Sequence, residues 1–226
     1  MNLRNEPKKG PMIMRKLVMI WQENKAFLLF VTLMLVFRSA LADWNTVPSG
    51  SMNPTIIEGD RIAINKIAYD LRIPFTHKSL LRLAEPERGD IVVFDSKASD
   101  KRLVKRLIGL PGDQVSMNNN QLTINGKAVT YQTINNSSDI IEQLPGAAHK
   151  IRISDPANHQ FANFPTVTVP ADHYLMLGDN RDHSADSRII GFVPREEIIG
   201  RSREVIMSIN YDNFYLPRTE RFFSNL

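Results

Sequence analysis

The sequence predicts a mainly β protein preceded by one apolar helix. Three observations predict it. Short apolar runs bounded by Gly, Pro, Asn and Asp recur from Asp60 to Ile209, the pattern of buried strands. Asn125-Gly126 sits between two such runs and suits the type I′ turn of a tight hairpin. Long helical periodicity is absent outside the apolar run Ala26 to Ala42.

Composition narrows the classes. A chain of 226 residues that is 42% apolar can bury one sizeable core or two small ones and does not have a disordered composition. Its net charge of +4 is spread out, which argues against nucleic acid and for nearness to an anionic membrane surface. There is no cysteine, so disulfides, thiol nucleophiles and thiolate metal sites are excluded. No pair of His and acidic residues has ligand spacing, and we expect neither metal nor cofactor.

Residues 1–25 read as a basic leader, with Arg4, Lys8, Lys9, Arg15, Lys16 and Lys25 against Glu6 and Glu23. Ala26 to Phe37 carries no charge, and Ser39 to Ala42 continues it after Arg38. A helix over 26–42 is about 25 Å long, short for a hydrocarbon core of about 30 Å. Arg38 snorkelling outward and Trp44 in the interfacial belt would extend it. A core helix has the same look, and Ala40-Leu41-Ala42 has the form of a signal cleavage site. The leader is long for a cleaved signal, so we read an uncleaved anchor with a cytoplasmic leader and an extracytoplasmic body.

The body follows in order. Pro48-Ser49-Gly50-Ser51-Met52-Asn53-Pro54-Thr55 is a stiff, non-helical turn able to hold a hydroxyl outward. Asp60 to Ile67 alternates as a strand, and Lys66 to Leu83 reads as a basic irregular loop. Ile91 to Phe94 is a buried strand, Lys97 to Arg102 a charged loop, and Leu103 to Leu110 a second strand stopped by Pro111-Gly112-Asp113. The hairpin pairs Gln121 to Ile124 with Lys127 to Gln132. Thr133 to Pro165 reads as a loop-rich insertion with two weak strands, its Asn135 and Asn136 triplets accidental surface. Thr166 to Val169, His173 to Leu177 and Arg203 to Ile209 are further strands. The dense polar loop Gly178 to Ser184 follows the second of these, and an aromatic, basic tail ends the chain.

A hydrolase nucleophile needs a proton acceptor and an oxyanion donor. Ser51 is the candidate nucleophile. His77, His149 and His159 sit in polar stretches and read as solvated surface, and His173 begins a strand. His183 lies in the dense polar loop, which leaves open a Ser-His-Asp arrangement with Asp182 or Asp186. Lys105 is the other candidate base. It lies inside an apolar strand, sharing a face with Leu103 and Leu107, where burial would lower its pKa by the roughly 3 units that work near neutrality requires.

Four ordered blocks carry a resemblance. They are Ser49-Gly50-Ser51-Met52-x-Pro54-Thr55, Arg88-Gly89-Asp90-Ile91-Val92-Val93-Phe94, Lys105-Arg106-x-Ile108-Gly109-Leu110-Pro111-Gly112-Asp113, and Gly178-Asp179-Asn180-Arg181-Asp182-x-Ser184-x-Asp186-Ser187-Arg188. The set resembles the type I signal peptidases, and Phe37-Arg38-Ser39 at the end of the anchor is similar too. The chain departs from the family pattern at His183, where asparagine is usual, and in the polar segment Asp43 to Val47.

The resemblance implies a body of antiparallel sheets in 43–113 and 171–226, with an inserted β and loop-rich subdomain in 114–170. It implies a membrane-anchored Ser/Lys endopeptidase of the inner membrane, facing the periplasm beside the export machinery, that removes signal peptides from preproteins. Ser51 matches the nucleophile, Lys105 the general base, and the Ser51 amide and Ser49 hydroxyl the oxyanion donors. Ser184 matches the serine that orients the lysine. Asp186 and Arg188 match a supporting ion pair with Arg106 beside it. Met52, Ile56, Leu103 and Val104 match the first substrate pocket and Ile62 and Val93 the second. A substrate strand would lie along Val47-Pro48 and Leu103 to Lys105. The competing readings are the His183 triad and an inactive, membrane-anchored binding paralogue.

Overall fold

The computed structural model describes residues 12–76, 78–134, 137–153 and 161–226, so the readings of His77, His159, Asn135 and Asn136 lie outside the described residues. Helix α1 (Met12–Ala40) begins well before the expected span and ends two residues short of it. No Gly or Pro interrupts it, and Arg38 in its last turn complements the helix dipole. Many of its described apolar side chains are exposed, among them Phe27, Phe30, Leu33 and Phe37, while Ala40 at its end is buried. Among the described residues no helix is long and apolar enough to cross a membrane. The helix stops because the chain turns into a sheet. Arg38 ion-pairs with Asp43 at 2.9 Å and stacks 4.4 Å from the Trp44 ring.

Nineteen strands follow among the described residues. They are β1 (Ala42–Thr46), β2 (Asp60–Asn65), β3 (Asp70–Arg72), β4 (Ser79–Arg82), β5 (Ile91–Ser96), β6 (Lys101–Gly109), β7 (Gln114–Asn118), β8 (Gln121–Ile124), β9 (Lys127–Ala128) and β10 (Thr130–Thr133). Then come β11 (Asp139–Leu144), β12 (Ala147–Arg152), β13 (Phe164–Thr168), β14 (His173–Leu177), the short helix α2 (Ser187–Ile190), β15 (Val193–Pro194), β16 (Ile198–Ser202), β17 (Glu204–Asn210), β18 (Leu216–Pro217) and β19 (Ser224–Asn225).

The main sheet has ten strands in the order β15-β14-β6-β5-β16-β2-β17-β18, with β1 on β2 and β19 on β17. Its ladders are antiparallel. Strand β5 shows why it sits in the middle. Ile91 and Val93 enter one apolar cluster, Val92 and Phe94 another, so both faces are buried.

Two expectations change. The segment read as an irregular loop, Lys66 to Leu83, contains the β3–β4 pair, whose residues are paired across a register shift. The insertion is more ordered than its composition suggests. It holds a β13-β7-β8-β9 sheet and a β10-β11-β12 sheet. Its apolar residues Val115, Met117, Leu122, Ile124 and Leu144 share one core cluster with Ile108, Leu175 and Leu177 of the main sheet. That shared core packs the insertion against the strands that carry the site.

Candidate active site

The serine turn is built by burying its neighbours. Ser49 is extended (φ −141°, ψ 152°), Gly50 to Met52 form one 3₁₀ turn, and Asn53 returns to extended backbone. Met52 and Ile56 are fully buried and anchor the turn in the core. Ser51 is left at the edge of a cleft lined by Val47, Pro48, Ser49, Met52, Leu103 and Val104, with Lys105 and His183 beside them.

The opposite wall is β6. On one edge it pairs with β5 from Lys101 to Arg106. On the other, β14 reaches only as far as Arg106, so residues 101–105 present an edge to the cleft. Lys105 is 2% exposed, and its Nζ stands 2.7 Å from Ser51 Oγ. Burial, opposed by Asp186 and Asp179 and helped by Arg188, leaves its pKa drawn down to about 8. Ser and Lys are therefore in hydrogen-bond contact, with the lysine brought within reach of its neutral form near neutrality.

The polar loop after β14 closes the site from behind. Asp186 is fully buried and takes Arg188 in a bidentate pair (2.7 and 2.8 Å) while accepting from the Gly178 amide at 2.9 Å. A Cβ at position 178 would stand 2.2 Å from Ser184 Oγ and 2.5 Å from the Ser51 carbonyl oxygen, so only glycine lets the three segments converge. The expected hydrogen bond from Ser184 to Lys105 is not formed. Ser184 Oγ is pressed against Gly178, buried and without a hydrogen-bond partner among the described residues. Arg106 does not join the Asp186 pair. It grips Asp179 with two bonds of 2.8 and 2.7 Å. Burial opposes the Asp179 charge, but Arg106 outweighs it and holds the carboxyl below its usual range.

Of the expected pocket residues, Val47, Pro48, Met52, Leu103 and Val104 line the cleft. Ile56, Ile62 and Val93 are fully buried in the core cluster that also holds Met52 and Val104. They support the wall from beneath. His183 lines the cleft, yet the Ser51 hydroxyl is bonded to Lys105, and Asp186 is committed to Arg188.

Sequence reasoning missed a second buried network. His149, read as solvated surface, lies on β12 with Nε2 3.2 Å from Glu142. Burial lowers the His149 pKa. Burial also opposes the Glu142 charge, but Arg181 and His149 carry its pKa down to about 2. Backbone bonds from Arg152 to Asp179 and from Arg181 to Arg152 tie β12 to the polar loop. The signal was Pro145-Gly146 between two alternating segments, a hairpin turn with Gly146 at φ 88° that puts His149 on a strand.

Known proteins resemble this chain over most of its length. Residues 20–207 match the family described as signal peptidase, peptidase S26. The chain is 35% identical to a signal peptidase I of Pseudomonas fluorescens, over 82% of this chain and 72% of that one. It is 34% identical to the signal peptidase I of Pseudomonas aeruginosa, over 90% and 78%. A crystal structure of a signal peptidase I from Enterococcus faecalis aligns at 29% identity over 52% of this chain and 97% of that one, with a TM-score of 0.35. With a family match over most of its length and about a third of its residues shared with these relatives, the chain belongs to the signal peptidase family, peptidase S26, and is a serine peptidase.

Proposed function

We propose that the chain is a membrane-anchored endopeptidase that removes N-terminal signal peptides from exported preproteins, with Ser51 as nucleophile and Lys105 as general base. The observation that carries this is the 2.7 Å contact between Ser51 Oγ and the buried Lys105 Nζ. Neutral Lys105 accepts the Ser51 proton as Oγ attacks the scissile carbonyl carbon. The tetrahedral oxyanion is held by the Ser51 amide and the Ser49 hydroxyl, and Lys105 returns the proton to the leaving amine. Water then hydrolyses the acyl-enzyme by the same relay. The free edge of β6 at 101–105 receives the substrate as an added strand, and the apolar wall of Met52, Leu103 and Val104 suits small side chains one and three residues before the cut.

The anchor reading rests on α1. Phe27, Leu29, Phe30, Leu33, Met34, Leu35 and Phe37 leave an exposed apolar surface on this helix, and lipid would cover it. Lys25 and Arg38 bound its uncharged stretch, and Arg38 stacked on Trp44 marks the outer interface. The basic leader then stays in the cytoplasm, and the body lies on the periplasmic side of the inner membrane near the export machinery.

The test is cleavage of a signal-bearing precursor by the wild type, Ser51→Ala and Lys105→Ala. Each variant should lose more than about a thousandfold in kcat, and the double variant should be no worse, since the two act as one unit. Cleavage surviving in Lys105→Ala would remove lysine as the base.

A further inference from the structure

We propose that Asn180 is a positioning residue that fixes the Ser51 amide as an oxyanion donor. The proposal rests on the Ser51–Lys105 reading above and goes beyond it, because the bonds that Asn180 makes to the serine turn go to its carbonyls, not to the hydroxyl or the lysine.

Asn180 holds the serine turn by two consecutive carbonyls. Its Nδ2 donates to the Gly50 oxygen at 2.9 Å, and its backbone amide donates to the Ser51 oxygen at 3.1 Å. The side-chain orientation follows from chemistry. Turned the other way, the amide would set its oxygen against the Gly50 carbonyl, two acceptors in contact. A trans peptide points its C=O and N–H in opposite directions. Gripping the Gly50 oxygen therefore aims the Ser51 N–H away from Asn180.

The grip matters because the peptide it holds is a soft one. Gly50 has no Cβ to resist rotation of the Gly50–Ser51 peptide plane. Flipping that plane would replace the N–H with a carbonyl oxygen, which repels an oxyanion. Among the described residues, the other hydrogen bond to the Gly50 oxygen comes from the Asn53 amide, at 3.0 Å. Asn180 is itself well fixed. It is 6% exposed, it forms a parallel bridge with Arg152, and its carbonyl accepts from the His183 amide at 3.2 Å. The inserted β12 thus reaches the reaction centre through one asparagine.

The experiment uses the full chain and a precursor-derived peptide, with Asn180→Ala and the isosteric Asn180→Asp, which keeps the shape and loses the donor. Both variants should lower kcat about a hundredfold with KM unchanged, the scale of one lost oxyanion donor. A peptide aldehyde that forms a tetrahedral adduct on serine should weaken in proportion. In Asn180→Ala the rise of rate with pH should stay where it is in the wild type. If Asn180→Ala does not fold, Asn180→Asp carries the test. Thermal unfolding and substrate binding in a Ser51→Ala background separate this role from a purely structural one. A kcat within about twofold of wild type, or equal weakening of substrate and aldehyde, overturns the proposal. Ser51→Ala is assayed alongside. Its survival would remove the nucleophile and this inference together, whereas an inactive Ser51→Ala beside a fully active Asn180→Ala would remove this inference alone.

Discussion

Lys105 and Arg106 are neighbours on one strand, equally cut off from solvent, and treated in opposite ways. Arg106 is met by a buried carboxylate, Asp179, through two short bonds. Lys105 is met by a neutral hydroxyl, and its nearest acids act only at a distance. The paired cation is tied to the polar loop and holds it in place. The unpaired one is driven towards its neutral form, which is the form that can accept a proton. The fold thus places a scaffold cation and a reactive base side by side, and the partner decides which is which.

Removing the arginine should give the largest stability loss. Arg106→Leu leaves Asp179 buried without its partner, which costs about 3–5 kcal/mol. The double variant Arg106→Leu with Asp179→Leu should recover much of that in chemical denaturation. The Thr55 hydroxyl donates to Asp179 and His149 Nε2 lies 3.9 Å from it, so no recovery would mean that the pair is tied to these two too closely to be treated alone.

The lysine should behave in the opposite sense. Its pKa is lowered in the fold, from 10.5 to about 8, so the unfolded chain holds more protons across that window. Stability should therefore rise as pH goes from about 8 to 10.5, and the full cost of burying the amine is present below pH 8. Lys105→Met should stabilise the protein at pH 7, by at most about 3 kcal/mol, while abolishing cleavage. Wild-type activity should climb with pH towards 8 as the amine becomes neutral. A less stable Lys105→Met would show that the lysine is held by more than its contact with Ser51.

A third cation on the same strand sets the baseline. Arg102 pairs with Asp95 across to β5 at 2.8 Å, but both are more than a third exposed. Arg102→Gln should change unfolding stability by less than about 1 kcal/mol, and less still at high salt. A larger loss would mean that the mouth of the cleft depends on this pair.

What the sequence by itself determined is the material of the site and its broad setting. Ser51 in a Pro- and Gly-bounded turn, Lys105 inside an apolar strand, and the strands around Ile91, Leu103 and His173 are all local statements, written in neighbouring residues through turn chemistry and periodicity. What only the tertiary structure decided is pairing. That Arg106 takes Asp179 and not the Asp186–Arg188 pair, that Ser184 packs on Gly178 without reaching Lys105, that His149 is buried with Glu142, and that Asn180 grips the serine turn are facts about residues 6 to 130 positions apart. The physical reason is that a charged or polar side chain looks the same in sequence whether it faces water or a partner. Its cost of burial is met only by what the fold brings to it, and the insertion supplies much of that from a stretch whose own composition reads as loop.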